Sequence, residues 1–259
     1  MDTTLCRAVD AMARAIADRL TGCTPSIYLF GSCTMDDYRP GWSDIDILVL
    51  TQQRIRPDQA DALLMLRQTL PEVNPAQPRN RSFEGGMLTL DALLHQTPDT
   101  VIYWGTSGQR ITDRYAFDAC CLWTLLHHGV LLRGPEVRDR MPEPTRAALN
   151  DVVRRHLRTV REHAGETGRS LYSLGWMLDL SRGLYTLRTG QVATKTTAGE
   201  WALREGLCPD PELLRRVLAI RRSPAAFPQD KAALQLAETI APAVLRYADV
   251  LEAALMTAP

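Results

Sequence analysis

The stretch SIYLFGSCTMDDYRPGWSDIDILVL, residues 26–50, decides the fold. Its first five residues are short, aromatic and β-branched and run directly into Gly31-Ser32, so they read as a strand that ends in a tight turn. A polar connection bearing Asp36, Asp37, Pro40 and Gly41 follows. It delivers the chain to a second strand, predicted over 44–50, in which Ile45, Ile47 and Val49 face one way and Asp44, Asp46 and Leu48 the other. The two acids therefore share a face.

Carboxylates at i and i+2 on a strand stand side by side, a spacing that lets hard oxygen donors share or bridge Mg2+ ions. Such ions bind phosphate oxygens, neutralise charge at the attacked phosphorus and lower the pKa of a bound hydroxyl. A glycine and a serine at a strand end turn the backbone tightly and aim N–H groups and a hydroxyl at phosphate, the part assigned to Gly31 and Ser32. A third acid from a neighbouring strand would complete the set, and the strand predicted over 83–90 carries Glu84 near its start. Neither Gly-Ser nor Asp-x-Asp is specific alone, because both recur in solvated loops. The flanking strands and the turn-rich connection between make the pair specific, and together they predict a magnesium-dependent nucleotidyltransferase.

Working outward, apolar residues at helical spacing predict a helix over 3–20, stopped by Gly22, and another over 57–70 with Pro57 at its first turn. A third helix is expected over 113–132, closing in a short extended piece before Gly134-Pro135. Beyond residue 140 strand signals vanish, and helices are predicted over 145–163, 171–189, 196–205, 211–222 and 229–256, with Gly190 in the place of a helix-terminating glycine. The expected fold is an α/β N-terminal nucleotidyltransferase domain, a small mixed β-sheet with flanking helices, over 1–140. An all-α helical bundle follows over 141–259.

Composition narrows the partners. Thirty basic and thirty acidic side chains cancel, so no global field recruits nucleic acid. Six cysteines without a CxxC pair suit reduced, packed thiols rather than a zinc knuckle or disulfide framework. No apolar run approaches the ~20 residues of a membrane span. Charged Arg7, Asp10, Arg14, Asp18 and Arg19 make the first helix unlike a secretory leader, so a cytoplasmic location is expected, as a monomer with no membrane or nucleic-acid partner.

The segment over 29–50 also resembles the motif of the DNA polymerase β-like nucleotidyltransferases, and Phe83-Glu84 before an apolar run looks like that family's third acidic strand. DACCLWTLLHHGVLLRGPE (118–136) and LDLSRGLYTLRTGQVATKTTAGEWAL (178–203) are similar to the streptomycin/spectinomycin adenylyltransferases. The resemblance implies transfer of AMP from ATP to a hydroxyl of an aminoglycoside or aminocyclitol, with release of pyrophosphate, and hence antibiotic resistance. It implies ATP as co-substrate and two Mg2+ ions, with Asp44, Asp46 and Glu84 as metal acids and Glu84 as general base. Ser32 and Ser43 match hydroxyls near the triphosphate, while Arg182 and Lys195 match basic residues on the nucleotide's phosphates. Two residues tied to streptomycin binding are not kept, at positions near Ser107 and at Tyr172, so a spectinomycin-like acceptor is favoured over streptomycin. Trp104 is the aromatic that stands in for the first of these. The alternative is the same chemistry on another acceptor, a protein or tRNA, as in antitoxin-type enzymes.

An acceptor bearing ammonium groups favours acids, and Tyr172, Gly175, Asp179 and Arg182 recur on one helix face. Asp179 is the candidate ammonium partner, against the competing reading of an ion pair with an arginine. His127-His128 cannot chelate together, because neighbours on a helix diverge by about 100°.

Overall fold

The structure is a computed structural model that describes residues 3–73, 82–105 and 108–257. Contacts divide the chain into two compact units, one of residues 1–38 and 43–143, the other of 39–42 and 144–259.

The first unit runs α1 (Thr3–Arg19), β1 (Ser26–Phe30), a 3-10 turn (Gly31–Cys33), β2 (Ile45–Thr51), α2 (Pro57–Val73), β3 (Phe83–Thr89), α3 (Leu90–His95), β4 (Val101–Gly105), β5 (Gly108–Thr112), α4 (Ala119–His128) and β6 (Val130–Arg133). The strands form one mixed sheet in the order β5-β4-β3-β2-β1-β6. Among the described strands only β2 and β3 pair in parallel, joined across α2, and the other neighbours are antiparallel. Strand alternation sorts the core into two layers. Ile27, Leu29, Ile45, Ile47, Val49 and Phe83 pack with Val9, Ile16, Leu63 and Leu66 of α1 and α2. Tyr28, Phe30, Leu48, Leu50 and Leu88 pack with Leu93 and Leu125 of α3 and α4 on the opposite face. The β2 acids belong to this second face by alternation.

The expected mixed sheet with flanking helices is observed, with differences in its parts, among them the short helix α3, which was not anticipated. The hairpin β4–β5 was not anticipated, since β5 is a half-exposed edge strand, GQRIT, whose alternation carries little apolar signal. The helix expected over 113–132 forms only from Ala119, where the Asp118 side chain accepts from Cys121 N at 2.9 Å and caps it.

Behind β6 a polar lock fixes the chain. Tyr28 Oη donates to Glu136 Oε1 at 2.8 Å and accepts from Val137 N at 2.9 Å. Arg138 pairs with Glu136 Oε2 at 2.6 Å and donates to Gly129 O at 2.7 Å. The Arg138 hydrogen bonds, above all, hold the Glu136 carboxyl at about 2, below its ordinary 4.5. A depressed carboxyl contributes stability that is present above the unfolded value and lost as pH falls through the folded one. Urea unfolding between about pH 5 and pH 3 should therefore show wild type losing its advantage over Glu136→Gln as pH drops. An advantage independent of pH would remove this role.

The second unit is helical: α5 (Arg146–His163), α6 (Leu171–Thr189), α7 (Lys195–Arg204), α8 (Pro211–Arg222), α9 (Lys231–Thr239) and α10 (Ala241–Thr257). α6 is its axis, burying Leu174, Met177, Leu178, Leu180 and Leu184. Gly190 adopts φ 72° and terminates it, with Arg146 donating to the freed carbonyl of Leu187. The single helix expected over 229–256 is broken into α9 and α10. Pro242 has no N–H to continue the ladder and its ring would clash with the carbonyl of Glu238. No helix among the described residues is long and apolar enough to cross a membrane.

Candidate active site

Register builds the site. Phe30 pairs with Asp46 across β1 and β2, and Asp46 pairs with Glu84 across β2 and β3, so the three lie in one row over adjacent strands. Register partners on neighbouring strands project to the same face at a backbone spacing of about 4.8 Å, which brings the two carboxylates together. Asp44 precedes β2 by one residue and shares Asp46's face.

Two glycines permit this approach. A Cβ on Gly31 would sit 2.1 Å from Asp46 Oδ2, so the carboxylate lies directly over the Gly31 backbone, which also adopts φ +71°. A Cβ on Gly85 would sit 1.8 Å from the Ile47 carbonyl oxygen, so β3 comes close to β2 beside Glu84. After Gly31 the chain turns through Ser32, whose carbonyl accepts from Asp37 N at 3.0 Å, and Thr34 Oγ1 donates to Gly31 O at 3.1 Å. Ser32 thus stands at the end of β1 and Ser43 immediately before the acids, both partly exposed.

The surroundings hold neighbouring groups neutral. Burial first, then the nearby Asp46 and Asp44 charges, push the Cys33 thiol up to about 12. Burial also raises the Tyr115 phenol, with Cys121, Asp46, Tyr103 and Glu84 adding to it. Tyr115 stacks on Phe117 at 6.0 Å, and Phe117 meets Phe30 edge-on at 5.6 Å, forming an aromatic wall next to the acidic row. Opposite in charge is Arg67 of α2. Its burial, which disfavours the cation, is countered by Glu84, Tyr103 and Asp44, and its Nη1 donates to Gly105 O at 2.9 Å.

Arg67 and Tyr115 were missed from sequence. Arg67 follows Ala60 and Leu63 by seven and four residues on the buried stripe of α2, and a charge on an apolar stripe was the signal available. Tyr115 was absorbed into a helical pattern that the structure does not form there.

Asp44, Asp46 and Glu84 suit Mg2+ by the chemistry of their donors, and the Gly31 cradle holds one of the carboxylates in place. Among the described residues no three potential ligands are close enough to cage an ion by themselves. Mg2+ does not require that, since it is usually held by one or two carboxylates together with substrate phosphates.

In the second unit α6 brings Asp179 and Arg182 together and α7 adds Lys195. Lys195 Nζ lies 3.0 Å from Asp179 Oδ2, and Arg182 Nη1 lies 3.5 Å from Asp179 Oδ1. Arg221 is buried, donates to Thr196 Oγ1 at 3.2 Å and lies over the Trp42 ring at 5.4 Å. Tyr172 is 69% exposed and meets Trp176 edge-on at 4.9 Å. Trp104 is a correction. It is fully buried in the first core layer, paired with Gly85 in the sheet, and presents no surface to an acceptor. Ser107 lies outside the described residues.

Comparison with known proteins agrees with the resemblance read from sequence. Residues 12–77 match the family described as Nucleotidyltransferase domain. The chain is 27% identical over 199 residues to spectinomycin 9-adenylyltransferase of Campylobacter jejuni, covering 71% of this chain and 72% of that protein. Its fold matches the crystal structure of spectinomycin adenyltransferase AAD(9) from Enterococcus faecialis with ATP and spectinomycin, at TM-score 0.64 and 14% identity, over 95% of this chain and 98% of the other.

Proposed function

We propose that this chain, an enzyme with a nucleotidyltransferase domain, transfers AMP from ATP to a hydroxyl of an aminocyclitol antibiotic, spectinomycin-like in preference to streptomycin. The observation that carries the reading is the row in which Asp46 and Glu84 pair in parallel register beside Gly31.

In this reading the acceptor oxygen attacks the α-phosphorus of ATP, the new P–O bond forms as the α–β phosphoanhydride breaks, and pyrophosphate leaves. Glu84 takes the proton of the acceptor hydroxyl. Asp44 and Asp46 would hold two Mg2+ ions, with Glu84 next to them, and the metal supplies charge neutralisation on the phosphates. Gly31 and Ser32 turn the backbone toward the triphosphate, Ser43 adds a hydroxyl, and Lys195 and Arg182 bring positive charge to the phosphates. Most of the rate enhancement comes from positioning and electrostatics, as such transfers require. The likeness to a spectinomycin 9-adenylyltransferase supports the acceptor class. The unmatched positions near Ser107 and at Tyr172 support spectinomycin over streptomycin. A monomer acting in the cytoplasm on small molecules fits this chemistry and the zero net charge.

The test is mass spectrometry of spectinomycin, streptomycin and further aminoglycosides after incubation with the enzyme, ATP and Mg2+. One adenylyl group gained by spectinomycin and not by streptomycin is expected. No gain on any member of the panel would overturn the acceptor assignment and direct the search to a protein or RNA acceptor.

A further inference from the structure

On α6, Gly175, Asp179 and Arg182 share one face, and Lys195 reaches it from the first turn of α7. A Cβ on Gly175 would be 3.6 Å from Lys195 Nζ, 3.9 Å from Asp179 Oδ2 and 4.0 Å from Trp42 Nε1, so an ammonium, a carboxylate and an indole converge over a residue without a side chain. Each Asp179 oxygen takes one cation, Oδ2 that of Lys195 and Oδ1 that of Arg182. The Asp179 side chain is only 14% exposed, against 27% for Lys195 and 37% for Arg182, so the carboxylate lies behind the cations rather than in front of them.

We propose that Asp179 is a positioning residue for nucleotide binding, holding Lys195 and Arg182 in the arrangement that receives the triphosphate, and that it is not the partner of an acceptor ammonium. The inference rests on the reading that Lys195 and Arg182 contact the nucleotide's phosphates.

Three physical arguments support it. Lysine and arginine lose much rotamer freedom when they are fixed on a ligand, and a cation already held by a carboxylate has less to lose when a phosphate arrives. Two cations beside one acid leave a residual positive charge, so the cluster still attracts an anion. Each carboxylate oxygen already takes a cation and the group is mostly shielded behind them, so an acceptor ammonium would compete with Lys195 and Arg182 for it, and Tyr172 on the same helix offers it no charge. Burial on its own would raise the Asp179 carboxyl, and Lys195, His156 and Arg182 bring it below its ordinary value, which agrees with a carboxylate committed to its neighbours.

The test is calorimetric binding of MgATP together with steady-state kinetics on wild type, Asp179→Asn, Lys195→Gln and the double variant. Asp179→Asn should weaken MgATP binding about tenfold, the scale of a contact-pair coupling, with the KM for spectinomycin within twofold of wild type. In the Lys195→Gln background the same change should cost less than about threefold, because its route through Lys195 is gone; a purely structural loss would persist undiminished. If asparagine at 179 prevents folding, Asp179→Glu displaces the charge by one methylene and should weaken MgATP binding roughly threefold. Tighter or unchanged MgATP binding by Asp179→Asn, or a rise in acceptor KM alone, would overturn the proposal. Should Lys195→Gln itself bind MgATP like wild type, the nucleotide reading of the cluster fails first, and the proposal with it.

Discussion

Glu84→Gln should lower turnover by about three orders of magnitude while MgATP binding stays within about twofold of wild type, since a positioned base contributes roughly 10²–10⁴-fold. The substitution keeps the shape of the side chain and its place in the row beside Asp46, so β3 has no reason to move. What it removes is the acceptor for the hydroxyl proton. Gly85 supports the expectation of an intact site, because the close approach of β3 to the Ile47 carbonyl is made by backbone and does not depend on the Glu84 charge. Arg67 would then face one carboxylate fewer, a change that favours an anionic nucleotide rather than opposing it. Single-turnover rates with saturating MgATP and acceptor isolate the chemical step from binding. Turnover near the wild-type level would sink the base assignment. A loss of MgATP binding equal to the loss in rate would instead make Glu84 chiefly a metal ligand.

The legible part of this molecule was that in which local pattern and function coincide. Alternation in β2 separated Ile45, Ile47 and Val49 from Asp44 and Asp46, and the core layers divide along that line. Two features escaped because they depend on partners distant in sequence. β5 holds its place by pairing with β4, not by an apolar pattern of its own. Lys195 meets Asp179 only because α7 folds back on α6; from sequence, Arg182 was the one partner that helical spacing could offer. Trp104 failed in the opposite direction. The family resemblance offers it as a stand-in for an acceptor-contacting aromatic, whereas a large apolar side chain on an inner strand is the one most strongly driven into the core. The break at Pro242 was available from the residue type and was overridden by an unbroken helical pattern around it.

Gly31→Ala should cost at least about 100-fold in turnover, because a 1 Å misplacement of a reacting group carries a penalty of that order. Two effects are superimposed at this position. A Cβ at φ +71° costs about 1–2 kcal/mol by itself. The same Cβ would lie 2.1 Å from Asp46 Oδ2 and 3.0 Å from its Cγ, so the carboxylate must swing away or β1 must part from β2. Either response takes the Asp46 carboxylate out of its place over Gly31 and beside Glu84. Gly22 separates the two contributions. It adopts φ +83°, with nothing within 4 Å of an added Cβ, so Gly22→Ala carries the backbone strain and leaves the carboxylates untouched. Both variants should lose a few degrees of thermal stability, about 2–4 °C per kcal/mol for a chain of this size. Only Gly31→Ala should lose turnover. Equal activity in the two variants would mean that the Asp46 carboxylate does not need the place over Gly31 in which it is found. If Gly31→Ala loses activity and keeps its stability, the displaced carboxylate, rather than the strained turn, is what the glycine protects.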